Sequence, residues 1–282
     1  MTKPRSTYVT AGEFEVHVTE WGEPSRPALV MWHGLARTGR DFDELAEALS
    51  DRFFILCPDT IGRGLSTWSR DPDREYSLDY YAKSAAALLD HYGLDSVGWI
   101  GTSMGGIIGL RMASGAEAGR LDWLILNDIG PEIPDDAIAR ILTYAGNPPD
   151  FATLGEAEAW FRTIYAPFGA APEAFWRRMS RSSVRRLPSG RFTAHYDPKI
   201  VVQFDVSRDE LTSWDRFRRI TIPLYAIAGA QSDILTADIL RRMQDAQPTM
   251  GARVLDGFGH APSLARPTDA DWIRAVIDGL SA

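Results

Sequence analysis

Hydrophobic and polar positions divide the chain into segments of different period. Residues 12 to 21 alternate Phe14, Val16 and Val18 with Glu13, Glu15, His17 and Thr19, the pattern of an antiparallel strand with one solvated face. Short, mostly apolar runs follow at Ala28–Trp32, Phe53–Cys57, Val97–Ile100 and Leu121–Leu126, suited to buried strands, and further strands are read at Ile222–Ala228 and Ala252–Leu255. Between them lie helical patterns. Asp41–Leu49 carries Phe42, Leu45 and Leu49 on one face, and Ser77–Tyr92 carries Tyr80, Tyr81, Ala85, Leu88 and Leu89 before Gly93. Further helices are predicted from Ile107, over Leu235–Met243 and over Pro267–Leu280. Strands alternating with helices predict an α/β protein with a mostly parallel sheet covered on both faces.

The period changes between about Pro134 and Trp214. Helical patterns rich in Trp, Phe and Arg replace the strands, broken by Pro148, Pro149, Pro167, Pro172, Pro188 and Pro198. This predicts a helical cap, residues 134–214, inserted into a core domain made of residues 1–133 and 215–282. No internal repeat or low-complexity tract is present.

Composition narrows the class. A length of 282 residues suffices for one large domain with an insert, and 45% hydrophobic residues is ordinary for a globular protein. A net charge of −8 argues against a general nucleic-acid binder. The single cysteine, Cys57, lies in a strand-like run and reads as a buried thiol. Residues 1–6 lack the apolar core of a signal peptide, and no apolar run is long enough to cross a bilayer. A cytoplasmic protein is therefore expected, a monomer or homodimer with no membrane or nucleic-acid partner.

The chemistry is concentrated at Gly101-Thr102-Ser103-Met104-Gly105, where a buried strand turns sharply into a helix. A serine on such a turn takes an unfavourable backbone conformation that needs side-chain-free neighbours on either side. The turn lifts the hydroxyl above the sheet edge, at a helix N-terminus that favours negative charge. A nucleophilic serine needs a base, and the base needs a partner to fix its tautomer. Active groups in such sheets collect at the carboxyl ends of the strands. His260 meets that test, following Val254-Leu255; His17, His91 and His195 do not, and His33 reads as a structural loop residue. Two acids meet it, Asp233 beyond Ala228 and Asp128 directly after Leu126. The chain order Ser…Asp…His favours Asp233, with Asp128 as the alternative. The oxyanion donors are expected to be the amides of Met104 and Leu35.

Taken as a set, His33-Gly34-Leu35, Asp59…Gly62-Arg63-Gly64…Ser66, Gly101–Gly106, Ser232-Asp233 and Gly259-His260 resemble the α/β-hydrolase superfamily, closest to its capped esterase, lactonase and C–C hydrolase branches. The resemblance spans nearly the whole chain. It implies an eight-stranded, mostly parallel sheet, a helical cap over the site, and neither cofactor nor metal. Haloalkane dehalogenases and epoxide hydrolases are excluded because they carry aspartate where Ser103 stands. Proline iminopeptidases are excluded because His33-Gly34-Leu35-Ala36-Arg37 replaces their His-Gly-Gly-Pro-Gly loop.

The predicted cap is rich in aromatics, Trp160 and Trp176 among them, and some of these are expected to line an apolar substrate pocket. Arg37, just past the oxyanion loop, is a candidate for a substrate carboxylate. The arginines 177, 178, 181, 185, 186 and 191 read as a solvated helix face, or alternatively as a docking patch for an anion. The expected function is hydrolysis of a small-molecule carboxylic ester or lactone through an acyl-enzyme on Ser103. The alternatives are a C–C bond hydrolase of a vinylogous diketone acid using the same triad, and a non-turnover ligand receptor on the same fold.

Overall fold

The computed structural model describes residues 3–281. Six strands run up to the period change: β1 (Arg5–Ala11), β2 (Phe14–Trp21), β3 (Ala28–Trp32), β4 (Phe54–Pro58), β5 (Val97–Thr102) and β6 (Leu121–Asn127). Three short strands follow, β7 (Asp150–Phe151), β8 (Val184–Arg186) and β9 (Phe192–Ala194), and the chain then resumes with β10 (Leu224–Gly229) and β11 (Gly251–Leu255). Eight of these form one sheet in the order β1-β2-β4-β3-β5-β6-β10-β11. Only the β1–β2 and β2–β4 pairings are antiparallel; the others are parallel.

The apolar runs of the central strands are explained by burial on both faces, whereas β11, at the sheet edge, leaves Arg253 and Val254 exposed. In β3, Leu29 and Met31 pack with Leu45, Leu49, Ile273 and Ile277, from the helices Asp43–Leu49 and Pro267–Leu280. Val30 and Trp32 point the other way, among Leu88, Ile108 and Met243, from the helices Leu78–His91, Met104–Ser114 and Ala237–Ala246. Trp32 and Trp99 stack with ring centroids 5.3 Å apart on that second face. Cys57 is fully buried beneath the first group of helices, and burial pushes its thiol well up.

The structure departs from the sequence pattern in two places. Strand β1 was not expected; it lies at the sheet edge, where its polar residues face solvent and break the apolar signal. The segment after β6 is not wholly helical either. Helices Asp135–Ala145, Leu154–Ile164 and Glu173–Ser182 are joined by a small antiparallel sheet, β7-β9-β8, whose two- and three-residue strands are too short to show a period.

Candidate active site

Ser103 sits between β5 and the helix Met104–Ser114 with φ 51° and ψ −117°, left-handed territory that an L side chain rarely occupies. The surrounding glycines make this turn possible. A side chain on Gly101 would begin 2.3 Å from the Gly105 carbonyl oxygen, and one on Gly105 would begin 2.1 Å from that of Trp32. The first turn of the helix can therefore pack directly on β3 and β5. The Trp99 indole donates to the Gly105 carbonyl at 3.0 Å and ties the turn down.

His260 follows β11 and reaches Ser103, with Nε2 2.9 Å from Oγ. Its Nδ1 lies 2.8 Å from Oδ2 of Asp128. Asp233, expected to take that place, does not reach His260: it stands partly exposed in a bidentate pair with Arg140, from the helix Asp135–Ala145. The turn after β10 accounts for the exchange. The Ser232 hydroxyl accepts from the amides of Ile234 and Leu235 while donating to Asp128 Oδ2 at 2.6 Å, which turns Ser232 inward and Asp233 outward. Burial would raise the Asp233 carboxyl, but Arg140 outweighs it and holds the group below its ordinary range.

Asp128 follows β6 directly, with φ 58°, and is fully buried. Its Oδ1 accepts from the Gly229 amide at 2.7 Å. A carboxylate so placed can only accept from Nδ1–H. The neutral imidazole must then present an unprotonated Nε2 to the serine hydroxyl, which it can deprotonate.

The loop after β3 is held by His33, in the structural role expected of it, and by Arg63, which the sequence reading left without a role. His33 Nδ1 donates to the Gly34 carbonyl at 2.7 Å, and its Nε2 accepts from the Thr60 amide at 2.9 Å. Burial pushes His33 down to about 4, keeping it neutral. Arg63 is fully buried; its Nε donates to the Leu35 carbonyl at 2.9 Å, and its Nη2 lies 3.4 Å from Met104 Sδ. These contacts fix the peptide planes around Leu35. Among the described residues, the Leu35 amide donates to no backbone or side-chain acceptor, and neither does that of Met104. The Gly-Arg-Gly spacing at 62–64 was the available signal for Arg63, but a buried arginine is rarely inferred from a loop motif.

Ser103 and His260 open into a cavity of about 60 Å³. Gly34, Leu35 and Arg37 form one side; Arg140, Tyr144, Ile164, Tyr165, Phe168 and Phe175 close the other from the segment after β6. Trp160 and Trp176, expected at the pocket, do not line it. Trp160 packs against Phe151 and Phe161, and Trp176 against Phe175 and the Arg162 guanidinium, so both hold the segment together. Arg37 does line the cavity. It is buried, bidentate to Asp41, and stacked 4.7 Å over the Tyr165 ring, with Nη1 lacking any hydrogen-bond partner. Burial opposes its charge, but Asp41 overrides that and keeps it protonated.

The arginine run is divided among several tasks. Arg178 bridges to Glu44, Arg191 pairs with Asp150, and Arg185 stacks on Trp68, while Arg177 and Arg181 stay exposed.

Comparison with known proteins agrees with this fold. A family model described as the alpha/beta hydrolase fold matches residues 27–267. A 3-hydroxybutyrate-oligomer hydrolase of Cupriavidus necator is 35% identical over 267 residues, 91% of this chain and 90% of that protein. A 3-oxoadipate enol-lactonase of Acinetobacter baylyi is 24% identical, over 81% of this chain and 80% of its own. Among solved structures, a putative hydrolase from Rickettsia typhi superposes with a TM-score of 0.90 at 26% identity, covering 98% of this chain and 99% of its own.

Proposed function

This chain belongs to the α/β-hydrolase family, and from that premise we propose that it hydrolyses esters of short hydroxy acids, of the 3-hydroxybutyrate-oligomer type. The observation that carries the reading is the continuous hydrogen-bonded series Ser103–His260–Asp128 opening into a cavity walled by aromatic and aliphatic side chains. Ser103 Oγ attacks the ester carbonyl while His260 Nε2 takes its proton, and the imidazolium that forms is stabilised by Asp128. The amides of Leu35 and Met104, free of other acceptors, receive the oxyanion. His260 then returns the proton to the leaving alkoxide, and a water activated by the same imidazole releases the acid.

Arg37 is assigned to a substrate carboxylate. A side chain on Gly34 would begin 3.6 Å from Ser103 Cβ and 3.9 Å from Arg37 Cγ, so the arginine stem lies close beside the nucleophile. The unpaired Nη1 suits the free carboxylate of a hydroxy-acid oligomer. Residues 134–214 act as a cap. Tyr144, Ile164, Tyr165, Phe168 and Phe175 of this segment wall the cavity opposite Gly34 and Leu35, so the segment governs which esters reach Ser103.

The test is one preparation assayed on 3-hydroxybutyrate dimer and trimer, p-nitrophenyl esters, an enol-lactone and a vinylogous diketone acid. Release of 3-hydroxybutyrate, lost in Ser103→Ala and blocked by a fluorophosphonate mapped to Ser103, is the expected result. Turnover of the diketone acid alone would move the assignment to C–C hydrolysis. Labelling of Ser103 without turnover of any substrate would point to a receptor.

A further inference from the structure

A second cavity, of about 450 Å³, lies behind the same loop and shares no lining residue with the first. Arg37 and Asp41 face the cavity at Ser103, whereas Thr38 and Arg40 face this one. Its wall contains a second Ser–His–Asp series. Ser6 Oγ lies 2.8 Å from His17 Nε2, and His17 Nδ1 lies 2.9 Å from Asp59 Oδ2. Strand pairing brings the first two together, because Ser6 stands opposite Thr19 and Tyr8 opposite His17, so Ser6 and His17 are diagonal neighbours on one face.

The connectivity matches that at Ser103 atom for atom. Asp59 is buried and also accepts the amides of Gly39 at 2.8 Å and Leu65 at 3.0 Å. Burial alone would raise its carboxyl, but the hydrogen bond from His17 and the other donors hold it below the ordinary range. It therefore accepts from Nδ1–H, leaving Nε2 of the neutral ring to accept from Ser6. Ser6 itself is exposed on the edge strand, open to an incoming molecule.

The lining also has a sign. Arg5, Arg40 and Arg181 stand against the single carboxylate of Asp59, in a protein whose net charge is −8. Arg5 and Arg40 have acidic partners in Glu20 and Asp43, whereas Arg181 is exposed on the rim. Thr38, only 3% exposed, has a buried hydroxyl with no hydrogen-bond partner. A buried donor without an acceptor is costly unless a ligand supplies one.

We propose that Ser6 is a second acylatable serine, with His17 as its base and Asp59 fixing the tautomer, in a cavity that selects acyl donors bearing an anionic group. Ser6 Oγ bonds to the carbonyl carbon while the ester C–O bond breaks. The hydroxyl proton passes to His17 Nε2 and leaves with the departing oxygen, and water later releases the acid by the same route. Ser6 lies within a strand, not ahead of a helix as Ser103 does, and the donors that share its cavity are the Thr38 hydroxyl and the arginines in place of fixed amides. Each missing preorganised donor costs about 10²–10³ in rate, so this centre is the slower of the two.

The test removes the first centre and reads the second. Full-length Ser103→Ala protein is treated with the p-nitrophenyl monoester of succinic acid or with p-nitrophenyl acetate, and the acylated residues are mapped by peptide mass spectrometry. Succinylation at Ser6 is expected, several-fold faster than acetylation, absent in Ser6→Ala and slowed about 10²-fold or more in His17→Gln. Arg181→Glu should erase the preference for the anionic donor. Ser6 and Arg181 are both exposed, so those variants keep the fold whether or not His17→Gln does. No adduct at Ser6, or acylation spread evenly over Lys3 and other surface side chains, would overturn the proposal.

Discussion

Asp128→Asn is the substitution that most directly tests how the site works. Oδ2 of Asp128 accepts two donors, His260 Nδ1 at 2.8 Å and the Ser232 hydroxyl at 2.6 Å, while Oδ1 accepts the Gly229 amide at 2.7 Å. An asparagine amide has one oxygen and one NH₂ for these positions. Placing the NH₂ on Gly229 would set two donors face to face, so it must turn toward His260 and Ser232. The imidazole then has to accept at Nδ1, which moves its proton to Nε2, and a protonated Nε2 cannot accept from Ser103. The expected loss in kcat is about 10⁴, the scale of the same substitution in a Ser–His–Asp protease, or about 5.4 kcal/mol of barrier. Asp233→Asn removes only a half-exposed pair with Arg140, worth at most about 1 kcal/mol. Its kcat should therefore stay within about fivefold. Steady-state hydrolysis and thermal melting of both variants, side by side, decide the matter. Near-normal turnover in Asp128→Asn with a collapse in Asp233→Asn would refute the reasoning.

Three further outcomes follow from the same contacts. Arg63→Met should lower kcat toward the ~10² attached to losing one oxyanion donor, because the Leu35 carbonyl loses its buried guanidinium; unchanged kcat in folded protein would remove Arg63 from the site. Gly105→Ala should destabilise the fold by about 1–3 kcal/mol in denaturant titrations, since its methyl would meet the Trp32 carbonyl and force the elbow off β3; an unshifted midpoint would contradict the packing. His33 is pushed from 6.5 down to about 4, so the unfolded chain binds the extra proton between those values. Its contribution is fully present above about pH 6.5 and is lost as pH falls toward 4, on the order of 3 kcal/mol, and a urea midpoint flat over that window would contradict a neutral buried imidazole.

What the sequence determined is what local chemistry determines. Unbroken apolar runs such as Ala28–Trp32 arise because a parallel strand buries both faces, and that pattern located the central strands. Gly-x-Ser-x-Gly was legible because the glycines answer to backbone contacts within a few residues of Ser103 and on the adjoining strand. His260 was legible because it closes the last strand–loop step of an alternating sheet. The choice between Asp128 and Asp233 was not. Both follow strands that are neighbours in the sheet, and the outcome rests on which way one turn faces, through the Ser232 hydroxyl. The pocket wall likewise escaped the sequence, because an aromatic side chain carries the same signal whether it roofs a cavity, as Tyr165 and Phe168 do, or pins one helix to another, as Trp160 and Trp176 do. Arg63 and the Ser6–His17–Asp59 series join residues far apart in the chain. Only the folded sheet brings such groups within hydrogen-bond distance, because strand order and register set those distances and spacing along the chain does not.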